Sequence, residues 1–368
     1  MEFLVGFVGL VIAFIVLLDA FETIILPRRV TQQFRLSRLF YRVTWASFSS
    51  VARTIRSVRR RDNFLALYGP LSLISLLIIW ASSLVLGFAM LHWAFHSQLS
   101  TTDTEVTFFT YLYLSGSSFF TLGFGDVTPL GPWGRTLAVV ESGTGFAFLA
   151  FVIGYLPALN SAFSAREVHV SLLDERAGSP PTALELLRRH YQGDELAGID
   201  LIMHDWERWT SELLESHLSY PVLGYFRSQH DNQSWVAALT MILDASSLVL
   251  VGTNNSSTRQ AQLTFAMARH TAVDLTQVMG TKPLVADPPR VTHEDLELIR
   301  TTLKAANIRL REGEEADNRL ADLRKMYEPF VNALSQHLLM PLPPWIPPAG
   351  VPDSWQTSPW EEIVSDER

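Results

Sequence analysis

Residues 121–129 read TLGFGDVTP, a stretch in which Gly123 and Gly125 alternate with apolar residues before Asp126 follows. Glycine reaches backbone angles that other residues avoid, so alternating glycines indicate a backbone outside the regular helix and strand. A lone GxG is weak evidence, because nucleotide-binding loops and ordinary turns use it as well. The flanking sequence must therefore decide what these glycines do.

The flanks are apolar enough to cross a membrane. Residues 3–18 carry no charge, residues 71–95 contain no Asp, Glu, Lys or Arg, and residues 136–159 contain only Glu141. A helix rises about 1.5 Å per residue, so ~20 residues cross a bilayer. The first run reaches that length when residues 19–26 are added. The sequence therefore predicts three spanning helices.

The composition favours a membrane protein over an enzyme. Hydrophobic residues make up 48% of the 368 residues and charged residues 18%. The sequence has no cysteine, which excludes disulfides and thiolate metal sites. It shows no nucleophile motif. A dinucleotide-binding loop needs a preceding strand and a following helix, but the glycine stretch here is flanked by membrane spans. We expect no enzymatic activity, no cofactor and no nucleic acid partner.

The distribution of arginine predicts the orientation. Residues 28–61 contain ten arginines and no acidic residue, whereas residues 62–134 contain no Lys or Arg. By the positive-inside rule, the arginine-rich stretch is cytoplasmic and the loops at 97–133 are outside. We therefore expect a multi-pass protein of the cell inner (plasma) membrane, with its N-terminus outside and everything after residue 159 in the cytoplasm.

The basic stretch 28–62 reads as an amphipathic linker on the cytoplasmic leaflet, where anionic lipids attract arginine. Arginines at 53, 56 and 59 also have the spacing of a voltage sensor, but only one span precedes them. Asp19 and Glu22 share a face near the end of the first helix, so we expect them to pair with arginines of the linker. The amphipathic pattern comes from apolar residues that alternate with Arg and Ser, namely Phe34, Leu36, Leu39, Phe40, Trp45 and Phe48.

Between the second and third spans, residues 104–120 predict a short helix that Thr104 or Asp103 caps and that is too short to cross. Non-helical backbone is tolerated at membrane depth only where it is buried in protein or lines a water-filled cavity. Residues 121–126 therefore predict a pore lining. Alternating glycines let successive carbonyls face one axis, and four chains would surround an ion with carbonyl rings.

The run TLGFGD resembles the selectivity-filter signature of the potassium channels, with Leu122 where valine is usual and Phe124 where tyrosine is usual. The resemblance extends through PWGR at 132–135 and covers about residues 70–160. It implies a homotetramer with K⁺ as the permeant ion. The implied ion-binding residues of the filter are Thr121, Leu122, Gly123, Phe124 and Gly125.

The resemblance also implies residues that support and gate the pore. Gly145 is the best match for a gating hinge and Gly143 the second, while Asp126 braces the filter from behind. Many family members pair this aspartate with a carboxylate four residues before the filter threonine. Ser117 occupies that position here, so the brace is a neutral hydrogen bond or comes from elsewhere.

Three polar residues of the spans each have two possible roles. Glu141 either supports the filter by pairing with pore-helix hydroxyls or faces the cavity and attracts cations. His92 and His96 are expected at the outer surface, where they cap the second span or sense external acid. The candidate hydroxyls for Glu141 are Ser115, Ser117 and Ser118.

Residues 164–340 predict a mostly helical cytoplasmic domain, and residues 341–368 a Pro- and Trp-rich tail that is docked or free. Within the domain, residues 232–252 predict a buried helix rather than a fourth span, and residues 293–339 predict two helices. Residues 220–239 resemble bacterial potassium channels whose cytoplasmic part has no assigned role.

The sequence as a whole predicts an all-α membrane protein with three transmembrane helices, a re-entrant pore helix and a filter loop, assembled as a tetrameric pore. Its expected function is a potassium-selective channel that the cytoplasmic domain gates. The alternatives are a non-selective cation channel and the pore-like subunit of an ion transporter. The expected segments are an N-terminal helix at 1–27, the linker at 28–62, a pore domain at 63–163 with outer helix 69–96, pore helix 104–120, filter 121–126 and inner helix 134–160, the domain at 164–340 and the tail at 341–368.

Overall fold

The structure, a computed structural model, divides into two units, Met1–Ser161 and Ala162–Arg368. The first unit holds two long apolar helices, two short basic ones and a pore helix, and the last helix runs on into the second unit. These are α1 Glu2–Ile24, α2 Leu36–Thr54, α3 Val58–Ala66, α4 Tyr68–Ala94, α5 Phe108–Phe119 and α6 Pro132–Ala177. The described residues are 2–24, 35–101, 105–178, 180–190, 198–228, 233–252, 258–308 and 310–347.

Small residues allow α1 and α4 to pack closely. A Cβ added at Gly9 would lie 2.7 Å from the carbonyl oxygen of Gly87, and one added at Gly87 would lie 2.9 Å from that of Gly9. Larger apolar side chains, such as Leu84 and Phe119, fill the adjoining core. Any side chain larger than hydrogen at the two glycines would separate the helices.

The acidic pair at the end of α1 has two different partners. Glu22 lies 3.5 Å from Nε of Arg35, which is the expected pairing with a linker arginine. Asp19 differs from the expectation, because it accepts hydrogen bonds from the backbone N–H and hydroxyl of Ser37 and from Nε1 of Trp80. A carboxylate at the N-terminus of α2 satisfies a helix N–H that has no partner within the helix.

The pore helix α5 is shorter than predicted. Its N-cap is Thr107, which forms a capping box with Thr110, so the expected cap at Thr104 or Asp103 is wrong. Residues 102–104 lie outside the described residues. After the filter, β2 (Thr128–Pro129) pairs antiparallel with β1 (Leu99–Ser100), which ties the end of the filter loop to the end of α4.

The inner helix α6 is longer than predicted at its C-terminal end. It runs from Pro132 to Ala177, with Pro157 inside it, so termination near residue 160 is wrong. A proline removes one backbone donor and does not by itself end a helix.

The second unit is all helical among its described residues. Residues 253–257 lie outside them, and the sequence did not lead us to expect the helix that follows, α10 (Thr258–Val278). Residues 293–339 form three helices where two were predicted. The helices are α7 Ala183–Arg189, α8 Ile199–Ser219, a 3₁₀ turn Pro221–Tyr225, α9 Trp235–Gly252, α10 Thr258–Val278, α11 His293–Ala305, α12 Glu314–Lys325 and α13 Glu328–Leu338.

Within the described residues, four helical stretches are long and apolar enough to span a membrane: α1, the run Val58–Ala94, α6 and α9. The first three are the predicted spans. Every residue of α9 is buried inside its own unit, as the sequence predicted for a core helix. Its buried Asp244 is paired, at 2.8 Å, with Arg290 and accepts a hydrogen bond from Tyr327. Helix α9 is therefore the core of the second unit.

The beginning of the Pro- and Trp-rich tail is docked. Trp345 is buried, with the guanidinium of Arg324 5.7 Å from its ring centre. Arg290 donates to the carbonyl oxygen of Pro343 at 3.0 Å. Residues 348–368 of the tail lie outside the described residues.

Candidate functional site

The backbone after the pore helix alternates in handedness from one residue to the next. Thr121, Gly123 and Gly125 have φ values of 55°, 60° and 80°, whereas Leu122 and Phe124 between them are not in the positive-φ region. Positive φ is strained for a β-branched residue such as Thr121. In a strand successive carbonyls alternate between two sides. A backbone in which the sign of φ alternates can instead turn successive carbonyls toward one side.

The first turn of this segment is fixed to the pore helix. The N–H of Thr121 donates to the carbonyl of Ser118 at 3.0 Å, and the N–H of Leu122 donates to the carbonyl of Ser117 at 2.8 Å. Beyond Leu122 the segment has no close neighbour at either glycine. Leu122 and Phe124 leave 56% and 66% of their area exposed in a single chain.

Asp126 has a partner that the sequence analysis missed. Its Oδ2 accepts a hydrogen bond of 2.8 Å from the hydroxyl of Tyr113, on the pore helix directly before the filter. Its Oδ1 accepts from the N–H of Val127. The side-chain partner of Asp126 is therefore Tyr113, and an aromatic hydroxyl on the pore helix was the signal that could have identified it.

A fully buried polar cluster lies behind the pore helix. Oε2 of Glu141 on α6 is 3.7 Å from Nε2 of His92 on α4, and both side chains have no exposed area. Ser115 of the pore helix is the hydroxyl that neighbours Glu141, but no hydrogen bond joins the two side chains. Nδ1 of His92 is 3.0 Å from the hydroxyl of Ser97. Glu141 is thus next to the pore helix, which is one of its two expected positions.

The two histidines at the end of α4 differ in environment. His92 is buried, so the expectation that it lies at the surface is wrong. His96 is exposed, with φ of 44°, and its Nε2 lies 2.8 Å from Oε2 of Glu2. His96 therefore links the end of α4 to the start of α1, whereas His92 belongs to the buried cluster.

The two hinge candidates have different surroundings. A Cβ at Gly145 would overlap the carbonyl oxygen of Phe119, so glycine is required where α6 crosses the end of the pore helix. Gly143 has no atom within 4 Å of such a Cβ. The close contact gives Gly145 a packing reason that is independent of any hinge.

In the second unit, the described residues contain no group of three His, Cys, Asp or Glu side chains that could hold a metal. A buried cluster is present instead. Arg166 donates to the carbonyls of Leu223 and Phe226, each at 2.9 Å, and its Nη1 is 3.5 Å from Nε2 of His217. Burial, with the charge of Arg166, lowers the pKa of His217 to about 3.

Comparison with known proteins agrees with this geometry. A family described as an ion channel matches residues 75–160. A protein described as the uncharacterized membrane protein YdjJ of Bacillus subtilis (strain 168) is 24% identical over 190 residues. That match covers 51% of this chain and 55% of the relative, so it spans about half of the relative's length. No solved structure matches the chain. The chain is an all-α membrane protein that carries an ion channel domain.

Proposed function

We propose that the protein is a potassium-selective channel that conducts K⁺ passively. The observation that carries this proposal is the alternation of φ from Thr121 to Gly125, directly after a pore helix and inside the region that matches an ion channel family. Carbonyls turned to one side replace the hydration shell of an ion that has lost its water. The ion-binding oxygens are the carbonyls of Thr121, Leu122, Gly123 and Phe124.

The pore is a homotetramer, because one chain supplies a single filter segment and a ring needs several. The exposed Leu122 and Phe124 support this assembly, since a neighbouring copy would cover them. A closed ring of identical chains also leaves no unpaired interface.

The residues around the filter hold it in place. Tyr113 braces Asp126 from the pore helix, and Glu141 with His92 supports the same helix from behind. Gating would bend α6 at Gly145 or Gly143, and α6 connects the pore to the second unit because it is one helix from Pro132 to Ala177. The second unit is cytoplasmic and supplies the gating signal, and the channel resides in the plasma membrane.

Glycine substitutions test the filter. We expect Gly123→Ala and Gly125→Ala to abolish potassium flux into liposomes that contain the purified protein. Both positions have open space but positive φ, so alanine fails there through backbone strain rather than through a clash.

Gly131→Ala is the matched control, because Gly131 also has open space and has no positive φ. It should retain the flux of the unmodified protein. Equal flux in all three variants would contradict the filter proposal. A different result would indicate a non-selective cation channel: the two filter variants lose flux, and the unmodified protein passes K⁺ and Na⁺ equally well.

A further inference from the structure

Helix α2 has three faces with different chemistry. One face, with Trp45 and Ala52, is buried against the protein. A second face is apolar but exposed: Leu39, Val43 and Val51 leave 47%, 56% and 53% of their area uncovered. The third face carries arginines that are also exposed, namely Arg38, Arg42 and Arg53.

The buried face differs from the one that the sequence suggests. Trp45 packs edge-on against Tyr68, and Phe48 stacks on Phe64 with ring centres 4.2 Å apart. These aromatic residues are therefore used in packing α2 on α3 and α4. The exposed face that carries Leu39, Val43 and Val51 also carries the exposed Ser47 and Ser50, and the described part of the first unit leaves its aliphatic side chains uncovered.

The position of α2 is fixed beside the ends of two spans. Asp19 of α1 holds the first turn of α2 and also binds Trp80 of α4. Further along, the hydroxyl of Thr44 is 2.9 Å from that of Tyr68, at the start of α4. Because α1 and α4 are membrane spans, α2 lies at the membrane boundary on the side where α4 begins.

The arginine face lacks compensating charge. Within the described residues, no carboxylate lies within ion-pair distance of Arg38, Arg42 or Arg53. The sequence contains no acidic residue from 23 to 61. Uncompensated guanidinium groups beside an apolar helix face match a phospholipid, whose phosphate lies next to its acyl chains.

We propose that α2 binds anionic phospholipids from the adjoining leaflet, with one headgroup phosphate at Arg38 and Arg42, another at Arg53 further along the helix, and the acyl chains against Leu39, Val43 and Val51. A second copy of the chain fits less well, because it would bring another arginine face against this one. Free phosphate fits less well because it would leave the apolar face uncovered. The inference needs only a membrane protein, so it is independent of potassium conduction.

Lipid retention by the full-length protein tests the inference. The protein is equilibrated in a mixture of phosphatidylcholine and phosphatidylglycerol, stripped with detergent, and its retained lipids are measured by mass spectrometry. We expect enrichment of phosphatidylglycerol, reduced by about fivefold for each arginine changed to glutamine at 38, 42 and 53. High salt should weaken the enrichment as well.

The matched control is the triple variant Arg208→Gln, Arg259→Gln and Arg319→Gln, which removes the same charge from exposed positions of the second unit. It should retain the enrichment. A further variant, with serine at Leu39, Val43 and Val51, keeps every charge and should also lose bound lipid.

The inference is overturned if the α2 arginine variant retains as much phosphatidylglycerol as the control. It is also overturned if inorganic phosphate displaces the lipid while the serine variant binds normally, because the site would then be an anion site. Potassium flux measured on the same samples reports separately on the channel.

Discussion

At the scale of single residues, the aspartate after the proposed filter has a hydroxyl as its side-chain partner, where the resemblance to potassium channels led us to expect a carboxylate. Ser117 stands where an acidic brace is common, and the hydroxyl of Tyr113 binds Asp126 instead. The hydrogen bond has one charged partner, which makes it stronger than a neutral pair. The filter loop is attached to the pore helix at both its first residues and its outer aspartate.

Removal of this hydroxyl should weaken the outer end of the filter. We expect Tyr113→Phe to accelerate the decay of current during sustained conduction several-fold, because Asp126 loses its side-chain donor while the aromatic ring stays. Single-channel or macroscopic recordings measure the decay. Tyr111→Phe is the control, since Tyr111 donates to the carbonyl of Ser97 and not to Asp126. Similar decay in both variants would refute a specific brace.

The residue scale also shows where the sequence was informative. Glycine at alternate positions is a local property, so the segment with unusual backbone angles could be located without the structure. The partners of Asp126 and Glu141 could not be predicted in this way, because they depend on the rotation of α4, α5 and α6 about their axes. His92 illustrates this point: a histidine near a helix end looked exposed, and packing buries it completely.

At the scale of elements, Asp19 holds α2 against the spans. It receives three hydrogen bonds, two of them from Ser37 and one from Trp80. Among the described residues, Glu22, one turn later, forms an ion pair only with Arg35. Asp19 is therefore the stronger of the two anchors.

Loss of this anchor should free α2. We expect Asp19→Ala to lower the free energy of unfolding by about 2–4 kcal/mol, because buried donors lose a charged acceptor. Amide hydrogen exchange should increase in the first turn of α2. Glu22→Ala is the comparison and should change both quantities much less. The two variants behaving alike would show that Asp19 has no special role.

The element scale separates strong from weak sequence signals. The spans were predictable because long apolar runs have few other interpretations. The end of α6 was not predictable, because the helix continues past Pro157 into sequence that packs in the second unit. Helix α10 alternates small, polar and apolar residues, and its burial depends on contacts with α8, α9 and α13 that the sequence does not specify.

At the scale of the whole molecule, a buried histidine links stability to pH. The pKa of His217 falls from 6.5 to about 3 on folding. Below pH 6.5 the unfolded chain gains a proton there that the folded chain does not bind, so the folded state loses stability as the pH falls toward 3. At pH 5 this loss amounts to about 2 kcal/mol.

Replacement of this histidine isolates its contribution. We expect His217→Gln to flatten the decrease in unfolding free energy between pH 6.5 and pH 5, as measured by denaturant titration of the full-length protein. His204→Gln is the control, because its side chain is 66% exposed. An unchanged pH dependence in His217→Gln would mean that the buried group is not the one that titrates.

The all-α fold and the ion channel domain follow from the sequence and are confirmed by the structure and the family match. Ion selectivity is the central claim that stays a prediction. The most direct test is the reversal potential of the purified protein in a planar bilayer with potassium on one side and sodium on the other. A filter of carbonyl rings predicts a reversal potential shifted strongly toward the potassium equilibrium value. A reversal potential near zero would contradict potassium selectivity.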